Sequence, residues 1–170
     1  ILPGHVSTII GVEPYKFLAE KYGIPGVISG FEPLDVLQCV AMIMRQLHEG
    51  RAEIEIAYAR GVMPEGNPVA RAVIDEVFDT CTATWRGLGD IPGSGYVIRP
   101  EFAPFDAMKR FQPTVEPTQS PKGCRCGDIL RGIMAPNECP LFRKVCSPEN
   151  PVGPCMVSSE GSCAAYYRYY

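Results

Sequence analysis

The chain has 170 residues, 46% hydrophobic and 21% charged, with a formal net charge of −3. That suits one large domain or two small ones with a real core. The slight acidity argues against a nucleic-acid or membrane-surface binder, and no apolar stretch approaches the roughly 20 residues of a membrane span.

In chain order, the first region alternates helix and strand. Residues 6–22 carry a helical pattern, interrupted near Gly11 and restarted by Glu13-Pro14, where proline suits a first turn. Residues 26–30 read as a short buried strand between glycines. Residues 32–49 form a strong helix pattern, with Leu34, Leu37, Val40, Met44 and Leu47 recurring at three and four residues and Gly50 closing it. Residues 52–58 alternate as a strand, and 68–78 read as another helix. Shorter strands are expected at 82–85 and 96–99. Strand, long helix and strand make a βαβ unit with parallel pairing, so the fold class is α/β.

The expected domains are an α/β domain over 1–111, a proline-rich linker over 112–123 and a small irregular cysteine-rich domain over 124–170. Position 1 is Ile and the first residues lack the regions of a signal peptide, so the chain reads as a processed product or a piece of a longer one. In the last domain regular structure is faint, apart from a short helix near 127–133. Bound metal would supply what so small an apolar core lacks.

Six of the eight cysteines lie there: Cys124, Cys126, Cys139, Cys146, Cys155 and Cys163. Their uneven distribution fits a reducing compartment better than a disulfide scaffold. The intervals are x1, x12, x6, x8 and x7. Zinc knuckles call for CxxC pairs, which are missing, and the two histidines, His5 and His48, lie far away in sequence. An iron–sulfur cluster takes four thiolates and tolerates irregular spacing, leaving two thiols for electron exchange beside it. Three disulfides and a four-thiolate zinc site are the plainer alternatives.

Several strings resemble the HypD family of nickel–iron hydrogenase maturation factors. They are PGHVSTIIG near the start, GFEPLDVL from Gly30, EGNPVAR from Glu65, WRGLGDIPGSGY from Trp85 and the closing NPVGPCMVSSEGSCAAYYRY. The resemblance covers the whole chain and corresponds to the C-terminal half of that family's proteins. It implies a [4Fe–4S] cluster with a redox-active cysteine pair, as in ferredoxin–thioredoxin reductase, where a CxC gives a ligand first and a redox thiol second. Carried over, Cys124, Cys139, Cys146 and Cys163 become the cluster ligands, and Cys126 and Cys155 the exchange pair. Backbone amides at Gly127, Gly153 and Gly161 are expected to bond sulfur.

The resemblance also implies cytoplasmic work with HypC and HypE, on iron that acquires cyanide and carbon monoxide ligands. The chain would then be a redox-active assembly scaffold rather than a stand-alone enzyme. Competing readings from other classes are a thiol–disulfide reductase acting on another protein and a structural zinc-binding interaction module.

Two loops of the first region are further candidates. His5 sits at an expected helix start, with Ser7 as its cap, and reads either as a cleft or partner residue or as a packed loop histidine. Glu32 lies at the carboxyl end of an expected parallel strand, where ligands of α/β sheets bind. Asp35 there is assigned to the helix dipole. Gly87 and Gly89 suit a tight turn. Cys39 and Cys81 read as small buried hydrophobes.

Overall fold

The computed structural model describes residues 1–85, 87–114 and 121–170; Arg86 and the middle of the expected linker lie outside the described residues. The chain divides into two compact units, Ile1–Val77 and Phe78–Tyr170.

The first unit is the expected parallel βαβ structure with one more strand. Its elements are β1 (Leu2–Pro3), α1 (Gly4–Ile10), a 3-10 turn (Glu13–Tyr15), α2 (Lys16–Tyr22), β2 (Gly26–Ser29), α3 (Pro33–Glu49), β3 (Ile54–Ile56) and α4 (Pro68–Val77). The sheet order is β1-β2-β3, all parallel, with Leu2 opposite Ile28 and Ile28 opposite Ile56. Two residues are too few to show the alternation of a strand, which is why β1 left no pattern. Every residue of β2 is buried. Ser7 lies inside α1 rather than at its cap, and its hydroxyl donates to the Pro3 carbonyl one turn back, at 2.6 Å.

Helix α3 starts with Pro33 after Glu32, whose backbone N–H donates to the Asp35 carboxylate at 3.4 Å, and ends at left-handed Gly50. Its buried side differs from the expected one. Leu34, Leu37, Val40, Met44 and Leu47 are all exposed, whereas Asp35, Cys39 and Gln46 are buried. The sheet-facing side is fixed by polar contacts. Cys39 Sγ donates to the Val27 carbonyl at 3.5 Å. Gln46 Nε2 donates to Glu55 at 2.6 Å while its Oε1 accepts from the Glu53 amide at 2.8 Å, clamping α3 to the approach of β3. Val27, Cys39 and Ala57 form the small apolar centre, with Met42 and Ile43 packed against it.

The second unit opens with an antiparallel hairpin, β4 (Phe78–Trp85) and β5 (Gly89–Ile98), much longer than the two strands expected here. Phe78 and Asp79 pair with Ile98 and Val97, so the cross-strand ladder captures Phe78 from the end of the expected helix. Gly87 and Gly89 both have φ near +80° and make the turn. A 3-10 turn (Pro100–Phe105) leads to α5 (Ala107–Phe111), capped by Asp106, which accepts from the Met108 and Lys109 amides. The cysteine-rich segment carries α6 (Cys126–Leu130), a 3-10 turn (Pro136–Glu138), α7 (Pro154–Val157) and α8 (Ser162–Tyr169). The short helix expected near 127–133 is α6. Among the described residues, no helix is long and apolar enough to cross a membrane.

Candidate functional site

The core of the second unit is built from sulfur. Cys126, Cys139, Cys146, Cys155 and Cys163 are all buried and cluster with Ile129, Phe142, Met156 and Ala164, while half-buried Cys124 packs against them. α6 places Cys126, α7 places Cys155 and α8 places Cys163. Cys139 closes the Pro136–Glu138 turn, and the loop after it returns Cys146 through a bridge between Phe142 and Cys146. All six sulfur residues line one narrow, tightly closed hollow. The rings of Tyr166 and Tyr167 seal its Phe142 side by edge-on contacts.

Within this core the six do not stand alike. Cys126 Sγ and Cys155 Sγ lie 2.6 Å apart. Cys124 Sγ rests against Gly153, where a Cβ would stand 2.5 Å from the sulfur. Cys146 Sγ accepts from the Val152 amide at 3.4 Å. The expected amide donor at Gly161 is engaged elsewhere, on the Ser158 carbonyl, and a Cβ at Gly161 would run into the backbone of Cys155. Glycine there serves close packing under α7.

Burial dominates the acid–base state of Cys124, Cys155 and Cys163. It pushes Cys155 up to about 12 and Cys163 up to about 11, and neighbouring sulfurs add to both; Cys124 is raised for the same first reason. Without metal these three therefore favour the neutral thiol. Bound metal reverses this, because a coordinating sulfur gives up its proton. Among the described residues, no three His, Cys, Asp or Glu side chains converge on a point that one metal ion would occupy. The donor set is all sulfur and ringed around a hollow, the chemistry that suits a polynuclear iron–sulfur group.

A second candidate lies in the first unit, at the carboxyl ends of its parallel strands. His5 is exposed on α1, its ring centroid 5.2 Å from that of Phe31. Glu32 is also exposed and reaches Arg60 at 3.3 Å. Asp35 does more than favour a helix dipole. It is buried and takes two hydrogen bonds from the Arg60 guanidinium, both 2.6 Å, which hold its carboxyl below the usual range. Arg60 also lies over the Tyr58 ring, 4.6 Å from its centroid. Gly30 leaves room for Asp35, since a Cβ there would strike its carboxylate. Arg60 went unnoticed in the sequence; its only trace is a lone cation after a strand, without the spacing of a motif. Of the two lone cysteines, Cys39 is fully buried as expected, whereas Cys81 is only half-buried on β4.

The model of the family described as "HypD: Hydrogenase formation hypA family" matches residues 1–170. The chain is 51% identical over 168 residues to the hydrogenase maturation factor HypD of Cupriavidus necator, covering 98% of this chain and 44% of that protein. It is 50% identical over 168 residues to the hydrogenase expression/formation protein HupD of Azotobacter chroococcum, with the same coverages. Against the hydrogenase maturation factor HypD of Rhizobium leguminosarum the identity is 46%, again over 98% of this chain and 44% of the relative. The chain thus spans about half the length of the curated relatives it matches.

Proposed function

The chain belongs to the HypD family, and from that premise we propose that it is part of a hydrogenase maturation factor whose sulfur core holds a [4Fe–4S] cluster beside an exchangeable thiol pair. The observation that carries this reading is the convergence of all six clustered cysteines on one hollow, with one pair of sulfurs within bonding reach. Cys124, Cys139, Cys146 and Cys163 are the four ligands, and Cys126 and Cys155 exchange electrons as a dithiol and disulfide. The cluster, when bound, supplies electrons to that couple.

The surrounding residues have definable tasks. Phe142, Tyr166 and Tyr167 keep water from the sulfurs. Gly153 leaves space for Cys124, and the Val152 amide offsets charge on the Cys146 thiolate. In the full-length protein the work is cytoplasmic and shared with HypC and HypE, and its cargo is an iron atom that acquires cyanide and carbon monoxide.

Anaerobic loading with iron and sulfide tests the reading. About four irons per chain and broad visible absorption bleached by dithionite are expected, following the four-thiolate rule. Cys126→Ser should keep the iron and abolish thiol exchange. One tightly held zinc with no iron uptake would replace the cluster by a structural site. Failure of the full-length protein to recover HypC or HypE from a native extract would favour a general thiol–disulfide reductase instead.

A further inference from the structure

The sulfur pair has an outer side, and two hollows among the described residues that reach it are rimmed by the β4–β5 hairpin of the same unit. The larger, about 360 Å³, is walled by Trp85, Leu130 and Pro154 and floored by Cys126 and Cys155. The smaller, about 170 Å³, runs along Gly87, Arg125, Gly127 and Asp128 and again reaches Cys126. Cys126 and Pro154 are shared by both hollows; Cys155 borders only the first.

The hairpin is fastened where it matters. Gly127, next to Cys126, lies so close beneath Gly87 that a Cβ would collide with the Gly87 carbonyl. Trp85 is held by its indole Nε1–H, which donates to Ser94 Oγ at 2.7 Å, and that hydroxyl donates to the Ile91 carbonyl at 2.7 Å. The ring is half exposed and set in orientation. A rigid aromatic face with a fixed polar edge is a low-entropy platform for a passing chain.

We propose that the two hollows form one docking groove for a cysteine-bearing segment of a protein partner, in which Cys126 makes the mixed disulfide and Trp85 positions the incoming chain. This rests on the exchange-pair assignment made above. A protein segment fits better than a small thiol such as glutathione. The larger hollow offers apolar walls, and the Arg125 guanidinium that a free carboxylate would seek is already paired with Asp128.

The exchange balances in two steps. The Cys126 sulfur attacks a partner disulfide; that S–S bond breaks, the Cys126–partner bond forms, and the departing partner sulfur takes a proton. Cys155, whose sulfur is 2.6 Å from that of Cys126, then attacks Cys126 and releases the second partner sulfur, which also takes a proton. Two electrons and two protons pass from the chain to the partner, and the Cys126–Cys155 disulfide remains.

The test uses Cys155→Ser, which stops the reaction at the mixed disulfide. The probes are a leucine-flanked cysteine peptide and glutathione, each activated as its thionitrobenzoate disulfide. Mass spectrometry should place the peptide on Cys126, with the coloured leaving group giving the rate. Adding Trp85→Ala should slow the peptide about tenfold, the scale of one lost aromatic contact, and leave glutathione unchanged. Trp85→Phe should restore most of the peptide rate. An adduct elsewhere than Cys126, equal rates for the two probes, or no effect of Trp85→Ala would each overturn the groove. Iron is counted on the same sample, so trapping on Cys126 in a preparation that takes up no iron would sink the cluster and leave the groove standing.

Discussion

The two units bury different things. In the first, the buried polar residues Ser7, Ser29, Asp35 and Gln46 each make hydrogen bonds, and those of Ser7 and Gln46 tie helices to strands. In the second, among the described residues, the core is cysteine with a few apolar side chains. Directional bonds to backbone and charge specify a position without outside help. Sulfur packs as a small hydrophobe, and so many thiols in one core gain their full value only through what they bind. The first unit thus carries its own instructions, while the second, on the proposed reading, leans on what its sulfurs bind.

The largest effect that would break this contrast is removal of iron. Structural metal sites contribute apparent energies on the order of 10 kcal/mol. Chelation, or Cys139→Ala, is expected to open the cysteine-rich segment to protease while residues 1–77 stay protected. Uniform digestion of both units would mean that the second does not depend on metal more than the first.

Next comes the Asp35–Arg60 pair. Arg60→Leu strands a buried carboxylate, a change that destabilises strongly because the remaining charge has lost its partner. The acid limb of stability reports it independently. Arg60 holds the folded carboxyl below its unfolded value of about 4, so the pair's contribution is complete above that pH and fades as pH falls towards the lower folded value. Thermal melts should show wild type losing stability across that window and Arg60→Leu showing a flatter acid limb. An unchanged limb would place the pair's worth elsewhere.

Much of the layout was legible in the sequence, for reasons the residues make plain. Gly26 to Ser29 between glycines, and a helix bounded by Glu32-Pro33 and Gly50, are local signals that tertiary contacts did not override. The six clustered cysteines were legible as one site because so many thiols near one another have few uses. What could not be read were partners distant in the chain. Asp35 meets Arg60 across 25 positions, and no local pattern links them. Cys126 and Cys155, 29 positions apart, were paired through the family resemblance and not through their spacing. Periodicity reports a face, not what lies opposite it.

A smaller effect sharpens the contrast within α3. Gln46 is wholly buried and bonds both Glu55 and the Glu53 amide, so Gln46→Ala leaves those groups short of a partner. A cost of about 1–3 kcal/mol is expected in urea unfolding of the first unit, with little change in the second. A larger cost, with a changed slope, would mean that the clamp shapes the whole sheet.

The smallest effect is the most diagnostic, because sequence and structure give opposite forecasts for it. By periodicity Leu37 and Met44 are core residues, and replacing either by lysine would cost several kcal/mol. In the fold they are 67% and 60% exposed, while Cys39 between them is fully buried. Leu37→Lys and Met44→Lys are therefore expected to stay within about 0.5 kcal/mol of wild type in this chain, as surface changes do. Cys39→Asp should be far more costly, since it drives a charge against the Val27 carbonyl. If Leu37→Lys unfolded the first unit as readily as Cys39→Asp, the helix would have to turn its leucine side inward, and the Gln46 clamp could not persist. The clamp and the exposed stripe thus stand or fall together, and one pair of urea curves separates the two orientations.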